Sequence, residues 1–158
     1  MKANHSISLD RIDRRILRLL QTEPDITASA IGERIGASQA TVWRRMQRMQ
    51  EAGLIPPQVV RLDRHKAGFN AMIFAHVKLS SHGRANLAEF SKAIQSFPEV
   101  LECYVLMGHI DFLLRVVTPD VEAYERFFFE KLSQLPGVQE ITSSMALSEI
   151  KNTTVLPI

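Results

Sequence analysis

The chain lacks several features that would assign it to a particular class of protein. It contains one cysteine, Cys103, among 158 residues, which excludes an internal disulfide framework and fits a reducing compartment such as the cytoplasm. Its apolar runs are far shorter than the roughly 18 residues that cross a bilayer. The opening stretch MKANHSISLDRIDRR has no apolar run and no small-residue cleavage site typical of a signal peptide. We therefore expect a cytoplasmic protein that does not enter a membrane.

Patterns typical of catalysis and metal binding are also missing. The five histidines and Cys103 form no H-E-x-x-H, C-x-x-C or nucleophile-elbow pattern. His109 and Asp111 are close enough in sequence for an acid–base pair or half of a metal site, but no third ligand accompanies them. We predict no enzyme, no catalytic residue, no metal site and no cofactor.

Positive charge is concentrated in the first part of the chain. Residues 1–66 hold 12 Lys or Arg and 7 Asp or Glu, whereas residues 67–158 hold 7 and 10. This asymmetry indicates a basic module joined to an acidic one, with the basic module as the nucleic-acid partner. The excess is mild, so an ordinary solvated surface is an alternative explanation.

Three short helices are predicted in the basic part. Apolar residues recur at helical spacing in LDRIDRRILRLLQ, where Asp10 can cap the first helix and Pro24 can stop it. Thr27 begins a second helix that Gly36 ends, and Ser38 begins the third. This arrangement, with a sharp turn before the last helix, predicts a helix-turn-helix.

The third helix carries the candidate DNA-binding residues. Setting Val42 at the centre of the buried face brings Met46 and Met49 beside it. The amino end and the opposite face then carry side chains suited to base edges and phosphates in a major groove. These candidates are Ser38, Gln39, Ala40, Thr41, Trp43, Arg44, Arg45, Gln47 and Arg48. The alternatives are a solvated basic helix and, for Trp43, packing against a neighbouring element.

The arginines of this helix are expected to differ in role. Arg44 faces away from the core and suits a guanine edge. Arg45 lies one step from the core and is expected to hold a phosphate or an acidic partner, and Arg48 a phosphate. After Pro56 and Pro57, residues 58–62 are predicted to form a strand like the wing of a winged helix.

The acidic part alternates predicted strands and helices. The order is β-α-β-β-α-β, the ferredoxin-like split unit. Two helices cover one face of such a sheet, and the apolar residues on the other face predict self-association. The expected strands are 71–79, 100–107, 112–118 and 138–148, and the expected helices are 83–97 and one from Asp120 to Gly137. The predicted domains are residues 1–63 and 64–158.

Several stretches resemble the Lrp/AsnC, or feast/famine, family of regulators. LDRIDRRILRLLQ, S-x-x-x-V-x-x-R from Ser38, and AGLI at 52–55 resemble the amino-terminal half of the family. PEV at 98–100, G-x-x-D-F at 108–112, LPGV at 135–138 and K-x-T-T-x-LP at 151–157 resemble its carboxyl-terminal half. The similarity runs from about Leu9 to Pro157 without a large insertion.

The resemblance implies an α+β protein. A winged helix-turn-helix domain would precede a βαββαβ, ferredoxin-like (ACT-like) domain for effector binding and oligomerisation. Members of the family are cytoplasmic transcription factors that bind double-stranded DNA, respond to amino-acid-type effectors and form dimers, tetramers or octamers. The implied effector residues are Met107, Gly108, His109, Ile110 and Asp111, with Ser143 and Ser144. The alternative for Asp111 is a turn residue that caps its own loop.

The chain also departs from the family pattern. His109 and Ile110 stand where acidic or aromatic residues are common, so the effector is expected to be unusual or absent. Gly32 replaces a usual alanine and is expected to loosen the second helix. Two other functions stay open: an amino-acid-sensing module that binds a protein partner, and an RNA-binding sheet that uses Phe74 and Tyr104.

Overall fold

The computed structural model describes residues 7–81, 83 and 87–158. Two compact units divide the chain, one running to Val60 and including Lys151–Ile158, the other comprising Arg61–Ile150. The predicted second domain extended to residue 158. The structure instead groups the last eight residues with the helices of the first unit.

The first unit contains the three predicted helices, α1 (Arg11–Thr22), α2 (Ala28–Ile35) and α3 (Gln39–Glu51). Each begins at the predicted capping residue, whose side chain accepts a backbone N–H three residues further on. Their apolar faces meet in one core, whose fully or almost fully buried members are Ile16, Leu17, Ile31, Val42 and Met49. The helix-turn-helix prediction is therefore confirmed.

The turn between α2 and α3 depends on two glycines. Gly36 ends α2 in the left-handed conformation, with φ of 71°, which glycine adopts without the steric cost of a Cβ. At Gly32, a Cβ would come within 2.5 Å of the Ala37 carbonyl oxygen. The prediction that Gly32 loosens α2 therefore misses its role, which is to let the turn pack closely against the helix.

The segment Lys151–Ile158, here called the terminal segment, is held by the outer face of α1. Gln21 bonds Leu156 twice: its Nε2 donates to the carbonyl at 3.2 Å and its Oε1 accepts the N–H at 2.6 Å. Arg18 Nε donates to the Ile158 carbonyl at 2.6 Å. Ile158 also packs against the helical core. The terminal segment thus completes the surface of the helix-turn-helix unit.

The strand predicted at residues 58–62 is not formed in the described structure. Val59, Val60 and Leu62 are 87%, 88% and 74% exposed, and no described strand pairs with them. Extended backbone becomes a strand only when a neighbour supplies its hydrogen bonds. The two prolines exclude a helix here as predicted, but no described strand lies where it could pair with residues 58–62.

The second unit is the predicted βαββαβ fold. Strands β1 (Ala71–Leu79), β2 (Val100–Val105), β3 (Phe112–Thr118) and β4 (Val138–Met145) form one antiparallel sheet in the order β2-β3-β1-β4. The helices are α4 (Leu87–Gln95) and α5 (Val121–Glu130). Residues 84–86 of the first predicted helix lie outside the described residues.

Four predicted boundaries in this unit extended too far, one of them at α4, which ends at Gln95 and not at residue 97. The predicted second helix reached Gly137, but α5 ends at Glu130, and a 3-10 turn at Leu132–Gln134 follows. The C-cap residue is Lys131, whose φ of −125° departs from the helical value. Strands β2 and β4 are also shorter than predicted by two and three residues.

The sheet has a covered face and an open face. Alternate residues of β1 from Ala71 to Leu79 are at most 5% exposed and form the core with α4 and α5. The open face carries the other residues of β1 and their cross-strand neighbours. Its apolar members include Met72, Phe74 and Leu113. No helix in the described part of the chain is both long and apolar enough to span a bilayer.

Candidate nucleic-acid interface and effector cleft

The polar face of α3 is exposed as predicted from its periodicity. Val42 and Met49 are fully buried, and Met46 is partly buried against the same core. On the opposite side Gln39, Ala40, Trp43, Arg44 and Gln47 are all exposed. Gln47 donates to Glu51 one turn further on at 3.0 Å. The exposed face therefore presents amide, guanidinium and apolar groups suited to base edges.

The amino end of α3 is capped by serine and threonine hydroxyls. Ser38 Oγ accepts the N–H of Thr41 at 3.2 Å and lies 2.9 Å from the Thr41 hydroxyl oxygen. This cap starts the helix directly after the turn formed by Gly36. It leaves exposed residues in the first turn, where helix-turn-helix proteins contact DNA.

The three arginines of α3 have different environments. Arg44 is exposed and forms no ion pair within the described residues. Arg45 Nη1 contacts Asp10 Oδ2 at 2.6 Å and Asp13 Oδ1 at 2.9 Å. Arg48 Nη2 contacts Asp13 Oδ2 at 2.6 Å. Arg45 thus has the acidic partner that was one of its two predicted alternatives, and that partner lies within its own unit.

The ion pair between Arg45 and Asp10 shifts the pKa of both side chains. The backbone N–H of Asp13, followed by the Arg45 guanidinium, lowers the pKa of Asp10. Hydrogen bonds to Asp10 and Asp13 raise the pKa of Arg45. Both shifts favour the charged forms that make the pair.

Trp43 stands out on the exposed face of α3. Its side chain is 60% exposed. It is therefore not packed inside its own unit, which was the alternative predicted for it. It is the only tryptophan in the chain. An exposed indole beside Arg44 and Gln47 provides an apolar surface for a sugar or a thymine methyl group.

In the second unit, the predicted effector loop joins β2 to β3. Met107 at its tip is fully exposed, and Gly108 has φ of 146°, which a residue with a Cβ rarely adopts. Asp111 ties the loop to β1, because its Oδ2 accepts the Leu79 N–H at 2.7 Å and its own N–H donates to the Val77 carbonyl at 3.0 Å. Asp111 therefore fixes the loop against β1, whereas the alternative predicted for it was a cap of its own loop.

Ser143 and Ser144 point to opposite faces of the sheet. Ser143 is opposite the buried Ala75, and its hydroxyl oxygen lies 2.5 Å from that of Tyr124 on the helix side. Ser144 is opposite Phe74 on the open face. Consecutive strand residues alternate in this way, so the two serines do not complete one pocket together.

A shallow cleft of about 120 Å³ lies on the open face beside the loop. Its lining contains two residues of the predicted effector loop, His109 and Ile110, and four from β1 and β4, which are His76, Lys78, Glu140 and Thr142. None of these side chains forms a hydrogen bond or ion pair within the described residues. The cleft therefore has polar groups of both charges available to a ligand.

The cleft residues on β1 and β4 were not predicted from the sequence. Lys78 lies directly opposite Glu140, and His76 opposite Thr142, but this register cannot be read from either strand alone. No group of three or more His, Cys, Asp or Glu in the described part of the chain is placed to hold a metal ion.

Taken together, the fold and the sites define a class. A helix-turn-helix with an exposed polar recognition face is joined to a ferredoxin-like unit that carries a charged cleft. This is the architecture of a DNA-binding regulator with a ligand-binding domain.

The comparisons with known proteins agree with this class. A model of winged helix-turn-helix DNA-binding domains matches residues 9–55, and a model of the Lrp/AsnC ligand binding domain matches residues 72–156. The chain belongs to the Lrp/AsnC family of transcriptional regulators, as its sequence motifs indicated.

Similar proteins cover almost the whole chain. The DNA-binding transcriptional activator DecR of Escherichia coli is 33% identical over 150 residues, covering 95% of this chain and 99% of DecR. An AsnC family regulator from Agrobacterium tumefaciens has a crystal structure with a TM-score of 0.87, 37% identity and coverage of 94% and 97%. A Neisseria meningitidis regulator in complex with L-Met gives a TM-score of 0.88, 31% identity and coverage of 95% and 97%.

Proposed function

We propose that this protein regulates transcription by reading DNA with α3 and that an amino-acid-type effector bound in the cleft tunes its DNA affinity. The observation that carries the DNA-reading role is the exposed face of α3, where Arg44 has no ion-pair partner among the described residues and Gln47 and Trp43 lie beside it. Two such helices in a dimer would enter successive major grooves roughly 34 Å apart. The proposed compartment is the cytoplasm, and no catalytic role is assigned.

The cleft supports an effector with both charges. Glu140 offers an acceptor for an ammonium group, and Lys78 and the imidazoles of His76 and His109 offer partners for carboxylates. Asp111, one of the effector residues implied by the family resemblance, already accepts the backbone N–H of Leu79. We assign the ammonium to Glu140 instead. The Neisseria relative has been crystallised with L-Met, which supports an amino acid as the class of effector.

Assembly of two copies through the open face is part of the proposal. Phe74 and Leu113 lie half-buried at its centre, and Tyr104 is 52% exposed at its side. Arg115 and Glu102 are paired on the same face at 2.5 Å. A second copy would cover the apolar centre, and tetramers or octamers would follow from contacts between dimers.

The effector role is tested by DNA binding in the presence of amino acids. Fluorescence anisotropy of a labelled fragment from the region upstream of its own gene would be measured with each common amino acid in turn. We expect one amino acid to change the dissociation constant by about 5- to 150-fold. Lys78→Met should reduce that change by roughly tenfold, whereas Lys92→Met on the exposed side of α4 should preserve it.

Other outcomes would argue for a different function. If no amino acid changes DNA affinity, the cleft is not an effector site. If the protein binds amino acids but no DNA, it is the sensing module with a protein partner that the sequence left open.

A further inference from the structure

Two carboxylates at the start of α1 form ion pairs with two of the three arginines of α3. Asp10 and Asp13, here called the carboxylate pair, stand at the amino end of α1 and cap it reciprocally, each accepting the backbone N–H of the other, at 2.8 and 3.1 Å. The same two side chains reach across to Arg45 and Arg48. One group of atoms therefore both starts α1 and holds the polar edge of α3.

Asp13 is the centre of this arrangement. It is 1% exposed, and each of its oxygens contacts a different arginine: Oδ1 contacts Arg45, and Oδ2 contacts Arg48. Arg45 is itself only 21% exposed. A buried carboxylate without partners would be strongly destabilising, so the arginines and the acid keep one another in place.

The carboxylate pair changes the charge that α3 offers to DNA. Two negative charges lie against two of its three arginines, so Arg44 is the one arginine of α3 without a carboxylate partner in the described residues. Each arginine that neutralises a phosphate releases counterions and strengthens binding to any sequence. An arginine held by a carboxylate contributes less to this sequence-independent attraction.

We propose that Asp10 and Asp13 determine DNA specificity by keeping Arg45 and Arg48 from binding phosphates, so that the exposed face around Arg44 dominates recognition. This inference rests on the proposed DNA-reading function of α3. It assigns the two acids a role beyond helix capping, and it reverses the prediction from sequence that Arg48 holds a phosphate.

The test separates charge from capping. Asn is as good an N-cap as Asp, so Asp10→Asn removes a charge from the pair and preserves the start of α1. Asp13→Asn removes the central charge and keeps a side chain of the same shape. Asp25→Asn, at an exposed acid between α1 and α2 that forms no ion pair in the described chain, is the matched control for net charge.

For each variant, affinity would be measured for a specific fragment and for random-sequence DNA across a range of salt concentrations. We expect Asp13→Asn, which removes the carboxylate that contacts both arginines, to steepen the dependence of log affinity on log salt by about 0.9 for each arginine released. Asp10→Asn leaves the Asp13 contacts in place and should steepen it less. The ratio of specific to random affinity should fall by roughly threefold to tenfold at low salt, since random DNA gains most. Asp25→Asn should change both quantities much less.

Circular dichroism would show whether Asp13→Asn folds. If it does not, substitutions of the arginines test the proposal independently. Arg48→Gln should leave the salt slope unchanged, whereas Arg44→Gln should reduce the ratio of specific to random affinity. The proposal is overturned if Asp13→Asn folds and matches Asp25→Asn, or if Arg48→Gln flattens the salt slope. Failure of the unmodified protein to bind DNA at any salt concentration would overturn the proposed function as well.

Discussion

Individual residues on α3 have roles that depend on neighbours distant in sequence. Helical periodicity was enough to predict the buried Val42 and Met49 and the exposed Arg44. It could not predict the partners of Arg45 and Arg48, because these lie on α1, more than 30 residues earlier. A contact between helices depends on how they cross, and spacing within one helix does not contain that information.

Arg44→Ala tests base reading at this scale. We expect affinity for the specific fragment to fall by about 1–3 kcal/mol, with a smaller loss on random DNA, because a bidentate contact to one base is removed. Competition binding with the two DNAs measures both. An equal loss on specific and random DNA would show that Arg44 contacts phosphates and does not read a base.

At the scale of whole elements, most of the fold follows from local sequence signals. The capping residues Asp10, Thr27, Ser38 and Asp120 begin their helices where predicted, since each needs only a side chain three residues from a free N–H. Strands β1 and β3 match their predicted bounds, and every second residue of each is buried. The ends of β2 and α5 were predicted too late in the sequence.

The terminal segment is the element whose place the sequence did not reveal. Its motif was recognisable, but its contact with α1 joins residues 135 positions apart. Hydrogen bonds to Gln21 and the packing of Ile158 bring it into the first unit. The local sequence of K-N-T-T-V-L-P-I carries no periodicity that points to α1.

Gln21→Ala tests the contribution of this contact to stability. We expect the free energy of unfolding of the first unit to fall by about 1 kcal/mol, since two exposed hydrogen bonds to the terminal segment are lost. Urea titration followed by the fluorescence of Trp43, the single tryptophan, reports on this unit. Gln95→Ala in α4 should leave the transition unchanged. The same midpoint for Gln21→Ala and the unmodified protein would mean that the two hydrogen bonds of Gln21 add no stability.

The whole molecule combines two units with different tasks and, in our proposal, a second copy. The open face predicted from sequence is present, with Phe74 and Leu113 half-buried near its centre. The cleft lies on the same face, so an effector bound there would be close to the contact between copies. Ligand binding can then change DNA affinity by favouring one assembled state over another.

Leu113→Asp tests the assembly. A carboxylate buried between copies without a partner is strongly destabilising, so we expect the dimer dissociation constant to rise by at least about 100-fold. Analytical ultracentrifugation over a range of concentrations measures the change. Val121→Asp, on an exposed position of α5, is the matched control. A Leu113→Asp protein with unchanged mass would place the contact between copies elsewhere.

The measurement that tests the central claim most directly is the salt dependence of binding to two DNAs. Affinity of the purified protein for its own upstream region and for random DNA of equal length would be followed from low to physiological salt. Our account predicts tighter binding to the upstream region at every salt concentration, with a preference that persists as phosphate contacts weaken. Equal affinity for both DNAs, or no binding to either, would contradict the conclusion that α3 reads sequence.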